Sequence, residues 1–559
     1  MSVVSRKTVY VLLIALLMLS IAVRYPLVEH ERNQTDSYFI HDISKSIVTN
    51  GYAVWVFHPL SYFGLYPFSY PSGVPFLLAE VSSLTGLGME LSILLMNFLT
   101  AIIFALGVFV LARQFLAKPE YVLLATFFAV LGSRFVDTTY WDGSARGPIV
   151  VLSTLAVYAS LRASKTHQTW LLVLALLFGV GSFATHHMAI LLVLFGIGYV
   201  LAAFQIQYVL PRVGRHKLKV AIVWNLAIGT AIGIVVFGYF DFYNSMGFVG
   251  LEKTSVFDFE PPVLSMIVNL AASYTNQIGF VLVFAILGIP ILVCKSSLRV
   301  EMLFPVALLL AFIPMLGNTL YVSMILAPFI SILGVAVISR LFRQSKRKRL
   351  VAFAVVALMT SSLVLPMWST QRWNEREYLS GETIEVSNQV FSDASYLTNS
   401  YQSAPAISNV WVMAAQLGAV SQTIFLGSGI SLVLSGDIRN EDIQRNITLS
   451  RSEFPRNLYD WFEMQEPQNV NWYVQRMMIL GIGSIKGSDA APYFLKHSNL
   501  VVAVDNSCPN QFVNPYGLSK ANFLSELENS VSYPGKLEFQ SYKTYQTQGL
   551  SLYIIKLPS

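Results

Sequence analysis

Charged side chains are scarce in this chain of 559 residues: they make up 12% of it, against about 25% in an ordinary soluble domain. Cysteine is scarcer still, since only Cys294 and Cys508 are present. Two cysteines exclude a disulfide framework and a zinc site built from cysteine. Hydrophobic residues reach 54%, which excludes disordered and fibrous chains. Because this composition requires a solvent that accepts apolar surface, we expect a polytopic α-helical membrane protein.

Apolar runs of about 17–25 residues, long enough to cross the hydrocarbon core, occur eleven times in the sequence. They cover 8–24, 91–112, 120–136, 147–163, 169–185, 188–209, 219–241, 276–294, 301–316, 321–340 and 350–366. Two shorter runs predict a re-entrant or interfacial segment at 262–274 and a surface helix at 74–84. The first run has the basic flank of a signal peptide, but an uncleaved helix is favoured before ten further spans.

The basic residues indicate how these spans are oriented. If the N-terminus is cytoplasmic, the cytoplasmic segments hold 18 lysines and arginines, and the external loops before the last span hold six. The positive-inside rule predicts such a bias, so the net charge of +6 records orientation rather than affinity for nucleic acid. We expect a multi-pass protein of the cell (plasma) membrane with a cytoplasmic N-terminus.

An odd number of spans places the C-terminal part outside the cell, where its polar composition predicts a separate domain. Runs 499–505 and 550–556 are rich in β-branched and aromatic residues and predict strands. Helical patterns lie at 456–464 and 519–529. The expected architecture is a transmembrane domain, 1–366, followed by an extracytoplasmic mixed α/β domain, 367–559.

The first external loop, residues 25–90, is too long and too rich in aromatic and polar groups for a simple connector. Asp36 follows the first span closely, so we expect its carboxylate near the external membrane surface. It is either a functional group or a cap or solvated acid of a helix from Ser37 to Asn50. The other candidate binding residues of this loop are His41, Asp42 and Tyr70.

The second external loop carries two acids, among them Asp142, and two arginines, Arg134 and Arg146. Arginines hold phosphate by bidentate hydrogen bonds, and carboxylates bind divalent cations or act as bases. The alternative is an interfacial loop whose charges only face water and lipid headgroups. At the end of the fifth span, His186 and His187 are adjacent. On a continuous helix they would point about 100° apart, which disfavours a shared metal unless the helix breaks there.

Several short motifs resemble those of the C-type glycosyltransferase superfamily of polytopic membrane enzymes, and among its members they resemble the archaeal ones most. They are Thr35-Asp36-Ser37-Tyr38-Phe39 after the first span, Tyr70-Pro71-Ser72-Gly73 in the first loop, Tyr140-Trp141-Asp142-Gly143 in the second loop, and Thr185-His186-His187. The resemblance to oligosaccharyltransferase catalytic subunits is distant, because their Trp-Trp-Asp-Tyr-Gly signature is absent. Glycosylation of a peptide amide is therefore disfavoured.

The resemblance implies inverting transfer of a sugar from a polyprenyl-phosphate-linked donor, on the external face, to a surface glycan, glycolipid or protein. It implies that Asp36 is the general base and that Asp142 supports it or shares a divalent cation, Mg²⁺ or Mn²⁺, with it. It further implies that Arg134 or Arg146 stabilises the leaving phosphate and that His186 or His187 orients a substrate. Membrane lipids are the expected surroundings, and no nucleic acid is expected.

Two other classes of function compete with this interpretation. A secondary transporter or lipid flippase usually has internal repeats and polar groups at the midplane of discontinuous spans. Here the candidate acids concentrate at one membrane face instead. A non-catalytic membrane scaffold, whose external domain binds a partner, is the third hypothesis.

Overall fold

A computed structural model describes most of the first 375 residues and part of the remainder. The described residues are 5–27, 30–31, 35–53, 56–57, 65–66, 71–212, 214, 262–286, 300–316, 319–375, 388–400, 405–408, 417–421, 424–426, 499–505, 540–546 and 550–556. The chain divides into two compact units. The first, here called the helical unit, is Met1–Leu27 with Leu95–Arg372, and the second, the sheet unit, is Val28–Leu94 with Trp373–Ser559.

Helices account for most of the described structure. In chain order they are α1 (Arg6–Ala22), α2 (Thr35–Asn50), α3 (Gly73–Thr85), α4 (Met89–Ala112), α5 (Pro119–Val130), α6 (Ser133–Asp137), α7 (Arg146–Thr166), α8 (Thr169–Thr185), α9 (Leu192–Phe204), α10 (Pro262–Ile278), α11 (Val300–Phe312), α12 (Thr319–Gln344), α13 (Lys348–Glu375) and α14 (Asn388–Ser400). A 3₁₀ helix, His187–Leu191, leads into α9, and a π-helical turn, Gln205–Val209, follows it.

Five helices within the described ranges are long and apolar enough to cross a membrane, judged by length and composition. They are Met89–Ala112, Arg146–Thr166, His187–Arg212, Thr319–Gln344 and Lys348–Met367. Several other predicted spans are present as shorter apolar helices, and the predicted run 219–241 lies outside the described residues.

The bounds of three predicted segments differ from the helices observed. The run 120–136 contains a helix that ends at Val130, because the chain turns at Leu131-Gly132 before α6 begins. The run 276–294 is interrupted at Gly279, whose φ of +98° is a left-handed conformation that suits glycine. The segment 262–274, predicted to be re-entrant or interfacial, is part of the 17-residue helix α10, which extends to Ile278. An apolar run does not show where its helix breaks.

Helix α12 forms the centre of the helical unit. Every residue from Val322 to Val335 is buried, and a helix that is apolar and buried on all sides must be enclosed by other helices. The Phe329 ring lies 5.7 Å from the rings of both Phe195 and Phe304. At Gly334 a Cβ atom would lie 2.8 Å from the Val281 carbonyl oxygen, so the absence of a side chain allows this close backbone approach.

Arg24, which follows α1, is fully buried in the helical unit rather than exposed in a loop. Its guanidinium donates to the Thr139 hydroxyl at 2.6 Å, to the Val130 carbonyl at 3.0 Å and to the Ser20 carbonyl at 2.9 Å. It also lies 5.0 Å from the Phe135 ring centroid. A buried cation is costly unless its donors are satisfied. Arg24 therefore fixes the end of α1 to the turn between α5 and α7.

The sheet unit combines the first loop with strands from the C-terminal part. Its strands are β1 (Val56–Phe57), β2 (Leu65–Tyr66), β3 (Pro405–Ser408), β4 (Ile424–Leu426), β5 (Asn499–Asp505), β6 (Gln540–Gln546) and β7 (Leu550–Lys556). Five of them form a sheet in the order β4-β3-β5-β7-β6, parallel at β4-β3-β5 and antiparallel at β5-β7-β6.

The strands predicted at 499–505 and 550–556 are confirmed as β5 and β7, and the two strands pair antiparallel along their whole length. The helices predicted at 456–464 and 519–529 lie outside the described residues, as do Cys294 and Cys508. The helix predicted from Ser37 to Asn50 is confirmed as α2, and it ends at Gly51 with φ +78°. It begins at Thr35, so Asp36 lies within the first turn and not at the N-cap.

Candidate functional site

Four helix ends in the helical unit carry polar side chains that lie close to one another. α6 carries Arg134, α7 begins at Arg146, α8 ends just before His186, and the first turn of α12 carries Tyr321. The Arg146 guanidinium lies 5.8 Å from the centroid of the Tyr321 ring, and the Tyr321 hydroxyl lies 3.4 Å from His186 Nε2. We call this group the arginine–histidine cluster: Arg134, Asp142, Arg146, His186, His187 and Tyr321.

The loop before α7 gives the cluster a fixed backbone. Trp141 adopts a left-handed φ of 48°, which is uncommon for a bulky residue. Its neighbour Asp142 is 1% exposed and accepts a hydrogen bond at its backbone carbonyl from Asn97 Nδ2, at 3.0 Å. At Gly147 a Cβ would lie 2.8 Å from the Thr139 methyl. The loop is thus held between α4 and the Arg24-bound turn, and it has no room for a larger residue at the start of α7.

The two arginines of the cluster lie within electrostatic reach of each other. Arg134 is also influenced by the carboxylates of Asp137 and Asp142. Among the described residues, no hydrogen-bond acceptor reaches Arg134 Nε, although this atom is buried. Like charges held together in a poorly solvated place favour a bound anion. Chemically, the arrangement suits the charge-assisted, bidentate recognition of a phosphate group.

His186 lies at a break between two helices. Its extended backbone, φ −158° and ψ 137°, separates α8 from the 3₁₀ helix that begins at His187, and the two imidazole rings lie 4.3 Å apart. Burial lowers the pKa of His186 well below its usual value, and repulsion from His187 and Arg146 adds to the effect. The ring is therefore neutral. Nδ1 accepts from the Met188 backbone N–H at 3.0 Å, so Nε2 carries the proton and faces Tyr321.

Tyr321 is the member of the cluster that sequence reasoning missed. Aromatic residues near the end of an apolar span are common because they favour the membrane interface, so nothing in the sequence distinguishes this tyrosine from an ordinary interfacial one. Its role emerges only from the fold, because the first turn of α12 places it between Arg146 and His186.

The remaining candidates belong to the sheet unit. Asp36, His41 and Asp42 lie on α2, and Tyr70 lies outside the described residues. His41 is 4% exposed, and its Nδ1 lies 2.5 Å from Oε1 of the fully buried Glu31. The Tyr38 hydroxyl donates to the Glu31 carbonyl at 3.2 Å. His41 thus ties the segment before α2 to the helix itself.

Asp42 and Lys45 face residues 417–421 of the sheet unit. The Lys45 ammonium donates to the carbonyls of Ala419, at 2.8 Å, and Ser421, at 2.5 Å. The Asp42 carboxylate approaches Gly418, where a Cβ would lie 3.6 Å from Oδ2. Burial raises the pKa of Asp42 to about 6, an effect that Lys45 and His41 partly oppose.

This raised pKa predicts a pH-dependent stability. Between about pH 4 and 6 the folded state keeps the Asp42 proton and the unfolded state has lost it, so the free energy of unfolding should fall as the pH rises through this window. Asp42→Asn should flatten that part of the profile. Denaturant unfolding of both proteins at several pH values measures the difference, and identical profiles would contradict the assignment. The exposed acid of α3, Glu80→Gln, serves as the control.

Metal binding by these acids remains a prediction. Among the described residues, no three His, Cys, Asp or Glu side chains are grouped as ligands of one ion. The break at His186 does bring the two histidine rings together, but a third ligand does not accompany them in the described part of the chain. Asp36 and Asp142 belong to different compact units.

One family model and several solved structures are similar to this chain. A family model described as dolichyl-phosphate-mannose-protein mannosyltransferase matches residues 69–237. The oligosaccharyltransferase of Archaeoglobus fulgidus, solved in complex with Zn and sulfate, is 12% identical with a TM-score of 0.51, over 88% of this chain and 67% of that chain. ArnT from Cupriavidus metallidurans, bound to undecaprenyl phosphate, is 12% identical with a TM-score of 0.43, over 98% of both chains.

No curated protein sequence matches the chain. The family match includes every member of the arginine–histidine cluster except Tyr321, and the structural match extends over both units. The similarity to the C-type glycosyltransferase superfamily that the short sequence motifs predicted is therefore confirmed.

Proposed function

We propose that this protein is a membrane glycosyltransferase that takes a sugar from a polyprenyl-phosphate-linked donor. The acceptor would be a hydroxyl group of a surface glycan, glycolipid or protein at the external face of the plasma membrane. The five long apolar helices support the membrane location. The match of residues 69–237 to a family named for dolichyl-phosphate-mannose supports a donor of this class.

The observation that carries this proposal is the pair of arginines in the arginine–histidine cluster. Arg134 and Arg146 repel each other, and the half-buried Arg146 stacks near Tyr321. A phosphate group would relieve the repulsion and supply acceptors for both guanidinium groups. The cluster lies at the ends of apolar helices, which is where a donor with a membrane-embedded prenyl chain would present its phosphate.

Transfer would proceed by a single displacement with inversion. Asp36 takes the proton from the acceptor hydroxyl, and the hydroxyl oxygen forms the new bond to the anomeric carbon. The bond between that carbon and the phosphate oxygen breaks, and its electron pair leaves with the polyprenyl phosphate. Arg134 and Arg146 stabilise the extra negative charge that develops on this phosphate. The role of Asp36 is proposed from its place in the sequence.

The other members of the cluster would position the reacting groups. Neutral His186 offers an Nε2–H donor without adding charge and, with His187, would orient the donor or the acceptor. Asp142 would hold the arginines in place through its negative charge, or bind a divalent cation if further ligands join it. We assign His41 and Asp42 to the packing of the sheet unit, because they contact other groups of that unit. We assign Tyr70 to acceptor binding.

Release of free polyprenyl phosphate by the purified full-length protein tests the proposal. The protein is incubated with polyprenyl-phosphate sugars in lipid nanodiscs, and the released phosphate is quantified for the wild type and for Asp36→Asn. We expect turnover in the wild type and a loss of at least about 100-fold in the variant, the usual contribution of a general base. Glu80→Gln, an exposed acid of the same unit, should retain full activity.

The same measurement separates the competing functions. A transporter or flippase would move the intact donor between leaflets without releasing polyprenyl phosphate. A scaffold would do neither. Turnover that is equal in Asp36→Asn and the wild type would reject the proposed role of Asp36, and no turnover with any donor would reject the proposed function.

A further inference from the structure

An apolar groove runs along the surface of the helical unit, away from the arginine–histidine cluster. Its volume is about 490 Å³, within the range of about 300–1,000 Å³ typical of small-molecule sites. α1 and α5 form most of its walls, and α12 and α13 contribute Phe342 and Met359. Its lining is aliphatic and aromatic except at one end, where Glu120 and Tyr121 lie.

The polar end of the groove lies at the opposite helix ends from the cluster. Glu120 and Tyr121 are in the first turn of α5, whereas Arg134 follows its last turn. Similarly, Phe342 is in the last turn of α12, and Tyr321 is in its first turn. The polar end of the groove and the arginine–histidine cluster therefore lie at opposite ends of α5 and of α12.

The helices that border the groove present an apolar surface to their surroundings. On α1, Leu12 is 48% exposed and Ile14 is 60% exposed, and on α13, Phe353 is 71% exposed. In a membrane protein such surfaces face hydrocarbon. The groove thus opens toward lipid, and an extended acyl chain has the shape and the polarity to fill it.

The mouth of the groove carries a strong positive charge. The segment from Arg340 to Arg349 contains six basic residues and no acid. Its charged side chains from Arg343 to Arg349 are all exposed. Arg343 acts electrostatically on Tyr121, which lines the groove. The acid at the mouth, Glu120, is paired with Lys118 at 3.7 Å. Basic pockets between membrane helices bind anionic lipid headgroups.

From the apolar groove and the basic residues at its polar end, we infer that the groove is a binding site for an anionic phospholipid. One acyl chain occupies the groove between α1 and α5, and the phosphate headgroup contacts Arg343 and the basic turn between α12 and α13. The headgroup end of this site lies at the opposite helix ends from the arginine–histidine cluster, so the site is distinct from the proposed site of the donor phosphate.

Native mass spectrometry of the full-length protein tests this inference. Protein purified in detergent is exposed to equal amounts of phosphatidylglycerol and phosphatidylcholine, and the retained lipids are counted. We expect phosphatidylglycerol to be retained at least about fivefold more often, since each basic group near an anionic headgroup favours it. Arg343→Gln combined with Lys346→Gln should remove the preference. Ala15→Trp, which fills the groove, should remove the retained lipid altogether.

A matched variant makes the result specific. Ile14→Trp adds the same side chain on the same helix at an exposed position that does not line the groove, and it should retain lipid like the wild type. Equal retention of both lipids, or unchanged retention in Ala15→Trp, would overturn the inference. The inference would also be overturned if the protein is a dimer that Ala15→Trp dissociates, because a second copy would then occupy the groove. It would likewise be overturned if polyprenyl phosphate displaces the lipid, because the groove would then bind the donor.

Discussion

Arg146→Gln is expected to lower the rate of polyprenyl phosphate release by at least about 100-fold. A single preorganised donor that stabilises developing charge typically contributes a factor of about 10²–10³ to the rate. Glutamine keeps an amide donor group and much of the side-chain length. It lacks the positive charge, and it cannot donate two parallel hydrogen bonds to one phosphate as the guanidinium does. Because the charge develops mainly in the transition state, the change should appear in kcat more than in KM. Initial rates of release over a range of donor concentrations measure both.

The same helix provides the control for this variant. Arg162 is also on α7, near its other end, about 24 Å from Arg146 at 1.5 Å per residue. Arg162→Gln should change the rate by less than about twofold. Arg134→Gln should resemble Arg146→Gln, and the double variant should lose less than the product of the two factors if both side chains hold one phosphate. A rate for Arg146→Gln within about threefold of the wild type would refute the phosphate site.

Breaking the buried Glu31–His41 pair is expected to destabilise the protein by about 3–5 kcal/mol, the cost of leaving one buried charge without its partner. Glu31 is fully buried, and His41 Nδ1 lies 2.5 Å from its carboxylate. His41→Leu should produce this loss in denaturant unfolding. Since the pair joins the segment before α2 to that helix, the loss should be accompanied by faster proteolysis within the sheet unit.

A double variant identifies the cause. Glu31→Met with His41→Leu removes both partners of the contact, and apolar replacement of a whole buried pair is often neutral. Its stability should therefore be much closer to that of the wild type than the stability of His41→Leu alone. If the double variant is as unstable as the single one, packing rather than the unpaired carboxylate is responsible. Glu80→Gln, at the surface of the same unit, should have almost no effect.

Local features of the fold could be predicted because they depend on nearby residues. The end of α2 at Gly51 follows from glycine conformation, and the strands β5 and β7 follow from runs rich in β-branched residues. The bounds of the apolar helices could not be predicted as well. Leu131-Gly132 and Gly279 end or interrupt helices inside the predicted apolar runs, because hydropathy does not mark where a helix breaks.

The cluster was predictable only in part. The unusual charge of a short loop predicts Arg134, Asp142 and Arg146 as site residues. The structure places Arg134 within electrostatic reach of the other two, and Arg146 within reach of His186. Tyr321 and Arg24 could not be identified, because their contacts join elements that are far apart in the sequence. The charge pattern alone predicts Arg24 as one of the six cations of the external loops, whereas the structure shows a buried arginine whose donors are satisfied by carbonyl and hydroxyl groups.

The left-handed backbone of Trp141 has a consequence for how tightly a substrate can bind. The conformation is unfavourable by about 1–2 kcal/mol for a residue other than glycine, yet the buried indole and the Asn97 bond to the next carbonyl hold it. This loop is thus already ordered in the folded protein before any ligand binds. A ligand that meets Asp142 and Arg146 encounters a preorganised surface, so less of its binding free energy is consumed in immobilising the chain.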